Sequence, residues 1–483
     1  MAFPFFGKIF EFKQPDGSLI HLRGWGDQDS ARFETLEGLP MARNPGTGYF
    51  EPAGPDQAEM AVREPVPGLL EAVAREEPRW KTRRRRKKAQ LAALAFTDAN
   101  LEAPPPTQVV GDYVGLCLLI DFPDARGTIP REEVDRFCNQ RGYSGFGNNG
   151  SVYDYFSDNS LGRLRHRTIV TPYYTAARPK SYYAEIDVPY TQRAIELITE
   201  ALAHHQAQGF DFSSLSSDDQ GHVLSVSAFY AGKCTNERRQ GLWPHQWFLP
   251  SSLQIAPGKR GGDYQITDME AELALGTYCH EMGHMLCDFP DLYDDGHPET
   301  KKQSFGVGYF CLMGFGGHAD PKNPVQVCAY LKLAAGWANS LTVLESNGDF
   351  TASAGTNDFF VRSRGGGEYF LIENRFSEGR DRALPHAGLA IWHVEECGDN
   401  SYEQMTAEYH YECSLEQADG LFELERGITR NTDHRDLFRA GWKSNFSADT
   451  RPNSSWWDGS ASGLQIHDIG PAGRQIKFSV TLA

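Results

Sequence analysis

Short alternations of hydrophobic and polar residues run through residues 1 to 60, broken by Pro15-Asp16-Gly17 and Pro45-Gly46, and predict strands joined by turns. Residues 68–78, GLLEAVAREEP, have the spacing of a short helix. The next ten residues, RWKTRRRRKK at 79–88, carry eight basic side chains and bury nothing. Pro104-Pro105-Pro106 then forms a stiff extended spacer that sets a boundary at 106. From Gln108 the pattern changes. VVGDYVGLCLLIDFPD is a continuous apolar run suited to a buried strand, and residues 191–205, TQRAIELITEALAHH, follow a helical period. HVLSVSAFYAG, residues 222–232, reads as a strand, and a helix follows across residues 280–284. Beyond Gly336-Trp337 the helical period disappears. DFFVRS, EYFLIENRF, GLAIWHV, YECSLEQA, LQIHDI and QIKFSVTL read as strands between Gly, Asp and Asn turns. The expected organisation is an amino-terminal segment at 1–106, a mixed α+β domain at 107–343 and a β-rich, sandwich-like domain at 344–483.

Composition narrows the possibilities. A chain of 483 residues exceeds one ordinary core, and a hydrophobic content of 40% suits a globular protein. The net charge of −17 argues against nucleic acid as a main partner, and no apolar stretch has the length of a transmembrane helix. Pro4 and Lys8 interrupt the apolar start, so no Sec-type signal is visible. Nine cysteines, thinly spread, do not describe a disulfide framework; Cys117, Cys138, Cys234 and Cys328 read as small buried apolar residues.

The chemistry concentrates in His280-Glu281-Met282-Gly283-His284. On a helix, residues four apart share a face, so both imidazoles can address one ion. The carboxylate beside the first ligand can reach a water on that ion. Zinc lowers the water's pKa toward about 7, which makes the carboxylate a competent base. Thr267 and Glu270 have capping-box spacing and are expected to open this helix, with Leu273, Thr277, His280 and His284 along one face. A catalytic zinc needs a third protein ligand and an open position. Pro290 forces the chain to turn after the helix, and Asp288, Asp291 and Asp294 lie in reach. No glutamate occurs between Glu299 and Glu345, which removes a downstream glutamate ligand. Among the three aspartates Asp291 is the favoured one, with Asp288 and Asp294 as alternatives.

HEMGHMLCDFPDLYD resembles the active-site segment of the M6 metallopeptidases, the immune inhibitor A group, within the metzincin-type zincins. GSVYDYFSDNSLGRL, LWPHQW, GYFCLMGFGG, EYFLIENR, GLAIWHVEE, YECSLEQADGLFELERG and WWDGSASGLQIHDI are similar to further segments of that family, and FKQPDGSLIHLRGWGDQD resembles its pro-region. The resemblance implies a zincin-like catalytic domain that hydrolyses peptide bonds in protein or peptide substrates. It implies His280, His284 and Asp291 as zinc ligands, Glu281 as general base and Met313 as the Met-turn residue packed under the metal. It also implies an extracellular protein made as a zymogen. The chain departs from the family at Cys287, where the family often has glycine, and has one residue more than the compact spacing. Asp288 tolerates left-handed backbone and is suited to make the turn that cysteine cannot.

Other residues have weaker signals. The basic run at 79–88 reads as an activation cleavage site or a solvated linker, and Asp27 or Asp29 as an acidic latch. His245, after a predicted strand, is a candidate to line the substrate cleft or to be structural; His393 reads as a packed core histidine. The acidic turn at 291–295 offers oxygen ligands that suit calcium as a second cation.

Overall fold

The structure is a computed structural model that describes residues 5–15, 17–26, 31–36, 39–44, 47–52, 76, 108–294, 303–365, 367–400, 410–430 and 435–483. The basic run, the triple proline, the expected helix at 68–78 apart from Glu76, Asp27, Asp29 and Asp295 lie outside the described residues. The chain is a mixed α/β protein rich in sheet. It divides into two compact units, each assembled from separate stretches of sequence: the first from the described parts of Met1–Thr82, Val114–Asp135 and Thr168–Glu272, the second from those of Arg83–Tyr113, Arg136–Arg167 and Leu273–Ala483. The expected boundary at 343 is not where the units part; residues 273–343 group with the β-rich carboxy-terminal region.

In the first unit, β1 (Phe5–Lys13), β2 (Leu19–Gly26), β3 (Ala31–Thr35), β4 (Pro40–Arg43) and β5 (Phe50–Pro52) form an antiparallel sheet in sequence order. Alternation places Phe12, Ile20, Leu22, Phe33, Met41 and Phe50 in one small core. A second sheet is built from β6 (Gly111–Asp121), β7 (Leu164–Thr175), β8 (Val226–Ala231), β9 (His245–Phe248) and β10 (Asp263–Met269), in the order β7-β6-β8-β10-β9. β6, β8 and β10 run parallel, and β9 closes the edge antiparallel to β10. Parallel neighbours need long crossovers. One of these contains a helix at Tyr190–Ala207, whose Ala194, Ile195, Leu197, Ile198, Ala201 and Leu202 share a core with Leu116, Leu118, Ile120, Val226, Ala228 and Ile266.

Thr267 belongs to β10, not to a helix start. Its hydroxyl donates to Gln265 Oε1 at 2.9 Å, and its backbone pairs with β8. Sheet pairing therefore overrides the local capping signal, and the helix carrying the histidines begins at Leu275, behind Ala274.

The second unit holds that helix and the β-rich region. α1 (Val152–Ser160) opens on a capping box: Ser151 Oγ accepts from the Asp154 N–H at 3.2 Å, and the Asp154 carboxylate accepts from the Ser151 N–H at 2.9 Å. α2 (Leu275–Cys287) carries the histidines, and α3 (Ala329–Ala334) follows. Strands at Ser340–Val343, Asp358–Gly365, Glu368–Arg375, Gly388–Glu395 and Cys413–Leu415 form one sheet. Gly348–Ser353, Leu464–His467 and Gln475–Leu482 form another. Phe360, Phe370, Ile372 and Ile391 of the first share a core with Ala352, Ile466, Ile476 and Phe478 of the second. Among the described residues no helix is long and apolar enough to cross a membrane.

Candidate metal centre

Helix α2 is buried nearly all round. Leu275, Tyr278, Cys279, Met282, Met285, Leu286 and Cys287 are closed from solvent, and Thr277, His280 and His284 form the partly open stripe. The helix start is held by the backbone: the Gly276 N–H donates to the Pro321 carbonyl at 2.9 Å, and Asn148 Nδ2 and Lys322 Nζ each donate to the Leu273 carbonyl at 2.8 Å. Gly276 is obligatory here, because a Cβ would meet the Gly317 carbonyl oxygen at 2.2 Å.

The helix ends in a reversal of the chain. Asp288 adopts the left-handed conformation, φ 56° and ψ 26°. Its N–H donates to the His284 carbonyl and that of Phe289 to the Gly283 carbonyl, both at 3.2 Å. Those bonds close the last turn and send the chain back across the histidines. The reversal brings Asp291 into place. Its Oδ1 stands 3.1 Å from His280 Nε2 and 3.1 Å from His284 Nε2, and the two Nε2 atoms are 3.2 Å apart. Ligands at 2.0–2.1 Å around one tetrahedral ion are separated by about 3.3–3.4 Å. Three donors in a near-equilateral triangle of this size fit a single small divalent ion.

The tautomers point the same way. His280 Nδ1 lies 3.0 Å from the Leu312 carbonyl and His284 Nδ1 lies 2.6 Å from the Phe289 carbonyl. Carbonyls only accept, so both Nδ1 atoms carry the protons and both Nε2 lone pairs face Asp291. Asp291 Oδ1 is buried and has no hydrogen-bond donor in that arrangement. Three converging lone pairs repel unless a cation lies between them. Burial opposes protonation of His284, but the Asp291 carboxylate, helped by Glu281, overcomes it and raises the pKa to about 9. Burial likewise works against ionised Asp291, and the two histidines hold its carboxyl well below the usual range.

Met313 is fully buried in the Leu312–Gly316 turn beneath the helix. A Cβ on Gly283 would come 2.9 Å from Met313 Sδ, so the sulfur packs directly against the helix between the two histidines. The same turn provides the Leu312 carbonyl that orients His280. This turn is held by Arg375, whose Nη1 donates to the Phe310 carbonyl at 2.7 Å while its other nitrogens grip Asp381 at 2.7 and 2.8 Å.

Among the described residues His280, His284 and Asp291 are the group placed to hold a metal. Asp288 makes the turn, and Asp294 pairs through its backbone with Ser304, so neither is gathered into the cluster. No second cluster supports the calcium expectation among these residues. His245 is a buried histidine of the first unit with both nitrogens engaged, Nδ1 at 2.7 Å from the Trp243 carbonyl and Nε2 at 3.0 Å from Tyr264 Oη. His393 is buried between Glu368 at 3.0 Å and Glu416 at 3.3 Å. All nine cysteines are free; Cys117, Cys138 and Cys328 are buried and Cys234 half-buried. The orienting carbonyls of Leu312 and Phe289 leave no mark in the sequence, since every residue has one. No family model matches the chain, and no curated protein matches it.

Proposed function

We propose that the chain is a zinc-dependent endopeptidase, with His280, His284 and Asp291 holding the ion and Glu281 acting as general base. The observation that carries this reading is the convergence of two Nε2 lone pairs and Asp291 Oδ1 on one small volume, with both Nδ1 protons committed to backbone carbonyls. Two histidines and a carboxylate leave a fourth position open, the ligand pattern of catalytic rather than structural zinc. When bound, zinc supplies Lewis acidity and lowers the pKa of water.

The chain's own groups do the rest. Glu281 follows the first histidine on α2 and stands close enough to His284 to favour its charge. From there its carboxylate takes the proton of the attacking water and returns it to the leaving amine. The Leu312 and Phe289 carbonyls keep each imidazole in the ligating tautomer, and Met313 fills the space under the helix. The resemblance to the M6 metallopeptidases leads to the same activity and to protein substrates outside the cell.

The test is metal analysis paired with digestion of casein. The purified protein is expected to hold about one zinc per chain and to cleave casein until a chelator is added. Glu281→Gln should keep the metal and lose at least about a thousandfold in kcat/KM, within the range of a lost general base. Turnover retained in that variant would remove Glu281 from its role. A zinc-loaded protein inert on all peptides would leave a zinc hydrolase of other amide bonds, or a binding protein.

A further inference from the structure

Four side chains flank the metal centre without belonging to it. Phe315, two residues after Met313, packs against Tyr293 at 5.1 Å between ring centroids, against Phe305 at 5.5 Å and against His318 at 6.3 Å. Each of the three phenyl or phenol rings is only half-buried. Over this platform lies the guanidinium of Arg430, 4.8 Å from the Phe315 ring and 5.5 Å from that of Phe305. Its own backbone is tied down, because the Arg430 carbonyl accepts from the Tyr309 N–H at 3.2 Å.

The platform reaches the metal centre. His318 is kept below the usual histidine pKa first by desolvation, then by the charges of His280 and Arg430, so one ring lies within electrostatic range of both. Arg430 is exposed, and among the described residues no carboxylate pairs with it. Contact with two rings set nearly at right angles restrains the guanidinium, whose N–H fork is of the kind that grips a carboxylate bidentately. A divalent ion would offset the negative charges of Glu281 and Asp291, leaving Arg430 to set the sign of this wall.

We propose that Arg430 determines specificity by binding a carboxylate of the peptide substrate close to the scissile bond, on the wall formed by Phe305, Phe315 and His318. The inference rests on the peptidase reading above. The carboxylate belongs either to an acidic side chain or to the substrate's own carboxy terminus; both present the same planar pair of oxygens.

The experiment uses quenched fluorescent heptapeptides in which a single Glu, Gln or Lys is walked through every position, each made with a free or an amidated carboxy terminus. The zinc-loaded full chain should prefer Glu to Gln at one position, or the free to the amidated terminus. Arg430→Gln should reduce that kcat/KM ratio about 10- to 100-fold, the worth of one charge-assisted pair. Arg430→Glu should invert it toward Lys, and Arg430→Lys should restore part of it. In the unaltered protein the ratio should shrink as salt rises from about 0.05 to about 0.5 M. A ratio insensitive to both salt and substitution overturns the proposal, as does a wild-type protein without either preference. Binding of the same peptides to the Glu281→Gln protein, read by fluorescence anisotropy, separates the two ideas. Carboxylate-selective binding that Arg430→Gln abolishes supports the wall even if no peptide is cleaved. Cleavage of peptides without such selectivity leaves the peptidase standing and removes the wall.

Discussion

His284 Nδ1 lies 2.6 Å from the carbonyl oxygen of Phe289, whose own N–H returns to the Gly283 carbonyl. The ring of His284 and the turn after the helix are thus locked together, and Asp291 follows two residues later. Asp291→Asn keeps the turn but removes the charge facing two imidazoles. We expect zinc affinity to fall by more than the 10- to 100-fold typical of an orienting neighbour, measured by competition with a chromogenic chelator. An affinity within tenfold of wild type would take Asp291 out of the ligand set. Burial opposes it, but the Asp291 carboxylate raises the His284 pKa to about 9, so the wild-type affinity for zinc should rise with pH below that value as ion and proton compete for the ring.

Packing at the start of the helix gives a second prediction. A methyl group at position 276 would stand 2.2 Å from the Gly317 carbonyl oxygen, a backbone atom with little freedom to retreat. Gly276→Ala is expected to cost about 1–3 kcal/mol, the range for overpacking, seen as a lower denaturation midpoint. It should also weaken metal binding, since Gly317 continues from the turn beneath the histidines. An unchanged midpoint would contradict this contact.

The turn under His280 depends on an ion pair distant from it in sequence. Arg375 binds Asp381 through two nitrogens and the Phe310 carbonyl through a third, all buried. Removing one partner leaves a charge in a dry place, so Asp381→Ala should destabilise by about 3–5 kcal/mol. Replacing Arg375 and Asp381 together by apolar residues should cost less than that single change. Chemical denaturation of the single and double variants distinguishes these outcomes.

Stability should also vary with pH in a definite sense. Burial lowers the pKa of His166 to about 3 and that of His205 to about 4; His245 is lowered to about 4 by burial, against the pull of the Trp243 carbonyl. Above pH 6.5 these rings are neutral folded or unfolded, so they contribute no slope. As pH falls below 6.5 the unfolded chain alone takes up protons, and each ring removes up to about 1.4 kcal/mol per pH unit until its folded pKa is reached. Glu425 works in the other direction: burial raises its pKa from 4.5 to about 8, so its stabilisation is complete below 4.5 and is lost as pH rises to 8. Denaturation midpoints from pH 4 to 9 should peak near about 6.5. Glu425→Gln should flatten the alkaline side, and His205→Gln should make the acid side shallower.

The readable part of the site was the local part. Helical geometry alone puts His280 and His284 on one face, and the left-handed turn at Asp288 follows from what an aspartate tolerates. The start of the helix was not readable, since Thr267 and Glu270 carry a capping signal that strand pairing with β8 overrides. The residues around His245 leave open whether it lines a cleft or packs, and they give no sign that Tyr264, nineteen positions away, occupies its second nitrogen. Arg430 is further still from the histidines, and nothing in its neighbouring residues signals the rings of Phe305 and Phe315 beneath it.

The three donors occupy a single stretch of chain from His280 to Asp291, closed by backbone bonds within that stretch. A loop so short loses little entropy on closure. A damaged or partly unfolded chain that keeps this segment helical could therefore still capture an ion, and zinc content alone would certify such material as sound. Preparations should be graded by turnover and by midpoint, with stoichiometry read only afterwards.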